Sequence, residues 1–196
     1  MAGRDIFLVF VSGKPDHEAD YARWFCGEHK ADMARLPGVL SVHAGQLSAL
    51  DSLASPAQLC AIYETPDCAG LLQTIAASKG TAALPVSDLQ GAMVWRVLEC
   101  DQADGELTDA PVVIGLFEGE PGAAGATADL LADLPVKAKR ITRIGAAQPA
   151  RGREYPSILL LALQSGADPA AVAETLAGRA GTAAARFLLV TPVSAQ

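Results

Sequence analysis

Apolar residues in this chain come in short dense runs separated by turn-forming residues. Residues 5–11, DIFLVFV, are rich in strand formers and end at SGKPD, which predicts a first strand and a turn. Beyond it Ala19 or Ala22, Phe25 or Cys26, and Met33 recur at helical spacing, with Asp16 placed to cap a helix reaching about Ala34. LPGVLSVHAGQL then ends that helix, turns, and enters a second strand over about residues 39–47. AQLCAIYET predicts a third strand, DCAGLLQTIAAS a second helix capped near Asp67, and GAMVWRVLEC a fourth strand. The order β-α-β-β-α-β is the split βαβ pattern.

After the polar stretch DQADGELTDA the order begins again. PVVIGLFEG reads as a strand, AGATADLLADL as a short helix, and VKAKRITRIG and YPSILLLALQ as two strands. DPAAVAETLAG is a helix with Asp168 as cap and Pro169 in its first turn, and AARFLLVTPV is the last strand. Leu36-Pro37 and Leu134-Pro135 stand 98 residues apart, as do Ala61 and Leu159 in the two third strands. The reading is a duplication: a ferredoxin-like repeat at 1–100, a linker at 101–110, and a degenerate second repeat at 111–196.

A four-stranded sheet with both helices on one side leaves its other face needing cover. The expected fold is therefore α+β, with tandem ferredoxin-like repeats pairing sheet against sheet as an intrachain α+β barrel. Two independent small domains are the alternative, and a linker of about ten residues favours contact.

Composition narrows the function. Half the residues are hydrophobic, 51%, yet Phe, Trp and Tyr total ten, so the core is built mainly from small side chains. A net charge of -7 argues against nucleic acid or an anionic membrane and leaves a small molecule as the expected partner, neutral or held by a few local cations. Cys26, Cys60, Cys68 and Cys100 form no CxxC pair and share no short metal-site spacing with the three histidines. They read as free thiols of a reducing compartment. The apolar run at residues 6–11 is too short for a signal peptide core or a membrane span, and the expectation is a cytoplasmic protein.

Residues 20–41, DYARWFCGEHKADMARLPGVLS, resemble the signature of the EthD-like branch of the dimeric α+β barrel superfamily. An aromatic pair, Trp24-Phe25, and a Glu-His pair, Glu28-His29, precede the turn Pro37-Gly38 into the second strand. The resemblance covers about residues 4–100; the second half shares only the element order, and GAAGATADLLADLPV has neither a Trp nor a Glu-His pair. It implies one cleft per chain, between the two helices of the first repeat and its sheet, for small, often aromatic or polyketide-like molecules. Related barrels include haem binders, so a haem-ligating His29 or His43 is a further alternative.

His29 is the leading candidate for chemistry, because imidazole accepts and donates protons near neutral pH. In the competing reading it only closes the helix, against Glu28 or Asp32. His43 lies on the second strand, where it either enters the same cleft and shares acid and base roles or faces the partner sheet as a buried polar residue. His17, near the helix start, reads as solvent-facing. Tyr21, Trp24, Phe25 and Tyr63 are candidates for a substrate-binding wall or for plain core. Trp95 and Arg96 must face opposite sides, and Arg96 either anchors an anionic ligand or pairs with Glu64 or Glu99.

GEPGAAG, residues 119–125, lacks the spacing of a dinucleotide loop and reads as a turn, and no GxSxG, Walker or HExxH motif occurs. The expected activity is a cofactor-independent lyase, dehydratase or isomerase acting on a small aromatic or carbonyl-bearing compound. Its catalytic group would be His29, assisted by Glu28 or His43. A noncatalytic binding or structural barrel, as monomer or homodimer, is the competing reading.

Overall fold

The computed structural model of the chain describes residues 4–50, 57–107, 110–118, 126–144, 155–180 and 185–193. The first repeat comprises β1 (Asp5–Gly13), α1 (Glu18–Trp24), a π-helical turn (Phe25–His29), α2 (Lys30–Ala34), β2 (Ser41–Ala49), β3 (Leu59–Thr65), α3 (Cys68–Ser78) and β4 (Gln90–Asp104). The second comprises β5 (Val112–Phe117), α4 (Ala126–Leu131), β6 (Val136–Ile144), β7 (Ser157–Leu163), α5 (Pro169–Ala180) and β8 (Ala185–Pro192). The order expected from the apolar runs is the order observed.

The strands close into an antiparallel barrel in the order β1-β3-β2-β8-β5-β7-β6-β4. Each repeat supplies four neighbouring strands, and the sheets join at two seams, β2 with β8 and β4 with β6. Period-two alternation splits each strand between two environments. Ile6, Leu8, Cys60, Ile62 and Leu98 meet Ile114, Leu160 and Leu188 inside the barrel. Phe7, Val9, Val11, Ala61 and Tyr63 point outward under the first repeat's helices, while Val113, Leu159 and Leu161 do so under α4 and α5. Ala61 and Leu159 thus both face helices.

Two local readings are corrected. Asp16 does not cap α1: it sits in the preceding turn with a φ of 67°, and His17 takes the cap position without a side-chain hydrogen bond. His17 itself is exposed, as expected. The linker read at 101–110 begins as strand, because β4 runs on to Asp104 and, past Glu99 where its pairing with β1 ends, continues to pair with β6. Asp67 and Asp168 do cap their helices, accepting from Ala69 N and Ala170 N at 2.9 Å. The turn read at 119–125 lies outside the described residues.

One polar group crosses the barrel interior. Arg140 of β6, 0% exposed, donates from Nε to the Glu64 carboxylate of β3 at 2.6 Å, and its remaining donors reach the carbonyls of Asp104, Lys139 and Gly105. Ser41 donates to the other oxygen of Glu64. Burial pushes the Glu64 carboxyl up, but the hydrogen bonds from Arg140 and Ser41, with the charges of Arg140 and Arg4, outweigh it and hold the group below the ordinary glutamate range. The pair links the two repeats.

Candidate functional site

A cavity of about 190 Å³ opens on the helix side of the first repeat. Its floor is the outward face of β1 and β4, with Phe7, Val9 and Trp95. One wall is the long helical segment, which contributes Tyr21, Trp24, Phe25, His29 and Met33; the other is α3, with Leu72 and Ile75. Leu84, Pro85, Val86 and Met93 form the mouth, where Val86 is 55% and Met93 44% exposed. Both tryptophans of the chain line this space. Their rings belong to two packed groups, Trp95 with Phe7 on the floor and Trp24 with Tyr21 and Phe25 in the helical wall, with centroids 5.6 to 5.8 Å apart within each group.

The π-helical turn sets the orientation of the wall. Lys30 N–H donates to the Phe25 carbonyl, an i→i+5 bond that adds one residue to the turn. In a regular α-helix residues five apart stand about 140° from each other around the axis. Here Trp24 and His29, five apart, stack with ring centroids 4.8 Å apart, and Phe25 and His29 lie at 5.3 Å. The extra residue lets Tyr21, Phe25, His29 and Met33 share one face through more than three turns.

These contacts also control protonation. Burial lowers the pKa of His29 to about 4, against a smaller upward pull from Asp32, so the ring is neutral at neutral pH. Its Nδ1 is buried without a hydrogen-bond partner. Burial likewise pushes Tyr21 up to about 12 and Cys26 up to about 11, so both stay protonated. Cys26 is therefore poorly suited to act as a thiolate nucleophile.

The structure brings together Tyr21, Trp24, Phe25 and His29 and separates the other candidates. Glu28 is exposed and lines no part of the cavity, because the same turn that directs His29 inward leaves its neighbour facing solvent. His43 pairs in register with Ile62, whose side chain is inside the barrel, so it lies across the sheet from His29. Arg96 pairs with Leu8 on that same inner face and donates to the Trp95 carbonyl at 2.9 Å. Tyr63 is fully packed beneath Phe7, at 5.6 Å, and does not reach the space. Trp95 and Lys79 line the cavity in their stead. Alternation along β4 restricts the choice to Trp95 or Arg96, but only the pairing with β1 decides it.

A second hollow of about 500 Å³ lies near Arg4, Ser41, Glu64 and Glu106, with the Glu64 carboxylate already engaged by Arg140 and Ser41. Among the described residues no three His, Cys, Asp or Glu side chains converge as a metal site requires. Haem does not fit either candidate ligand. His43 is 1% exposed and borders neither hollow, while His29 stands in a space below the roughly 300–1,000 Å³ of drug-sized ligand sites. No histidine follows residue 43.

No protein-family model and no curated protein matches the chain. Solved structures do. A provisionally assigned monooxygenase from Fusobacterium nucleatum subsp. nucleatum is similar over 98% of this chain and 94% of its own, with a TM-score of 0.59 and 12% identity. A mutant chlorite dismutase from Candidatus Nitrospira defluvii matches over 98% and 92%, with a TM-score of 0.58 and 9% identity. An anthrone oxidase-like protein matches over 97% and 92%, with a TM-score of 0.52 and 14% identity. The chain shares an eight-stranded α+β barrel fold with these structures. At these identities the likeness establishes the fold alone. No helix among the described residues is long and apolar enough to cross a membrane.

Proposed function

We propose that this chain is a cofactor-independent enzyme of the EthD-like type, in which His29 removes a proton from the carbon beside a carbonyl in a small aromatic compound. The observation that carries this reading is a neutral His29 set in an aromatic-walled cavity with its Nδ1 buried and bare. Nε2 is then the nitrogen available to a ligand, and in the tautomer that carries its hydrogen on Nδ1 the neutral ring accepts a proton there across the physiological range. A base with so low a pKa is weak toward a neutral substrate. The enolate that proton transfer creates is negative, however, and its charge beside the new imidazolium raises the basicity of His29 as the transfer proceeds. Tyr21, kept protonated, is the hydrogen-bond donor in the same wall for the developing oxyanion.

Reprotonation at another atom makes this an isomerase, and loss of a leaving group a lyase or dehydratase. Capture of the carbanion by dioxygen makes it an oxygenase, the fate that the monooxygenase and anthrone oxidase-like neighbours favour. Glu28 and His43 have no part in this scheme.

Deuterium exchange tests the shared first step. In D₂O the wild-type protein is expected to incorporate deuterium beside the carbonyl of 2-tetralone about 10²- to 10⁴-fold faster than His29→Gln. Equal rates in two folded proteins would remove the base assignment and leave a noncatalytic ligand-binding barrel. An oxygen electrode then separates the fates, since only oxygenation consumes dioxygen.

A further inference from the structure

At the mouth of the cavity the end of α3 is folded back on itself. Lys79 N–H donates to the Ile75 carbonyl and Gly80 N–H to the Leu84 carbonyl, both at 2.9 Å, and Lys79 forms a β-bridge with Leu84. Gly80 has a φ of 80°, which glycine adopts without steric cost. This turn brings Lys79 and the Leu84-Pro85-Val86 segment to one rim. Leu72, Ile75 and Lys79 follow helical spacing, so the lysine continues the apolar stripe of the wall.

Among the described residues lining the cavity, Lys79 carries the one charge, because His29 is neutral there. It forms no ion pair with a described carboxylate. A lysine serving only to answer the helix dipole needs no place in the lining of an aromatic slot.

We infer that the cavity selects an aromatic acid: a planar compound of one or two rings, lying against Trp24, Trp95 and Phe25, with its carboxylate at Lys79. The inference rests on the reading of this cavity as the ligand site. The volume of about 190 Å³ sets the ring number, and the apolar floor excludes a second charge deeper in. A carboxylate at the open mouth keeps part of its hydration, which avoids the cost of burying an ion pair. The net charge of -7 repels such an anion elsewhere on the surface, so the local cation also orients its entry.

Calorimetric titration of 2-naphthoate and its neutral isostere 2-naphthamide tests this, using wild type, Lys79→Met and Lys79→Arg. The naphthoate is expected to bind the wild type roughly fivefold tighter than the amide at low salt. That preference should vanish in Lys79→Met, persist in Lys79→Arg and fade as salt rises. Both indole N–H resonances should shift on binding, since both tryptophans line the cavity. Equal affinities in the wild type, or a preference surviving in Lys79→Met, would overturn the inference while leaving an aromatic-ligand site. Failure of both probes to bind, or binding that leaves the indole signals unmoved, would overturn the inference together with the reading of the cavity beneath it.

Discussion

A histidine packed against Trp24 and Phe25 loses the hydration that its charged form needs, and His29 shows the effect in its pKa of about 4. Two consequences are measurable. The rate of the exchange reaction is expected to hold as the pH falls from 7 towards 5 and to drop only near 4, rather than near the ordinary histidine value. In the window from about 6.5 down to about 4 the unfolded chain binds a proton that the folded chain refuses, so stability falls as the pH falls through it. Urea denaturation across that window should show the decline in the wild type and a flatter profile in His29→Gln. Glu64 acts lower: its contribution is full above the ordinary glutamate pKa and is lost as the pH falls through its depressed folded value. At this scale the sequence identified His29, Tyr21, Trp24 and Phe25 as a group, because they crowd one short helical stretch. It did not separate them from Glu28, since adjacent residues on a helix differ only in direction.

Direction is a property of the element, and here the deciding feature is one extra residue in a helical turn. Apolar spacing over residues 16–34 fits a helix but does not reveal an i→i+5 bond at Phe25 and Lys30. For the strands, alternation yields two faces without naming either, which is why His43 and Arg96 were open candidates. Register resolves both, through Ile62 for His43 and Leu8 for Arg96. Register also explains Gly45, which faces the interior of β2 opposite Cys60 and Pro192. A Cβ there would collide with the Thr191 carbonyl oxygen and stand 2.6 Å from the Thr191 carbonyl carbon across the β2–β8 seam. Gly45→Ala is expected to destabilise the protein by about 1–3 kcal/mol, seen as a lower urea midpoint with an unchanged slope.

At the scale of the whole molecule, two four-stranded sheets cover each other's inner faces and need no second chain to close the barrel. The seam at β4–β6 is reinforced by Arg140, which holds Glu64 of the other repeat and the carbonyls of Asp104 and Gly105 together. Arg140→Ala removes the partner of a buried carboxylate and is expected to cost about 3–5 kcal/mol in urea unfolding, far more than an exposed arginine such as Arg23 would. Nothing in the spacing of Glu64 and Arg140, 76 residues apart, marks them as partners.

The sequence by itself determined the elements, their order, the burial of one sheet face against another and the helical stretch that carries His29. Those follow from local periodicity and from the need to cover apolar surface. Only the tertiary structure decided which strand face meets which layer, that Trp95 rather than Arg96 floors the cavity, and that Lys79 stands at its mouth. Such choices depend on register and on contacts between residues far apart along the chain, where no short-range pattern fixes the sign.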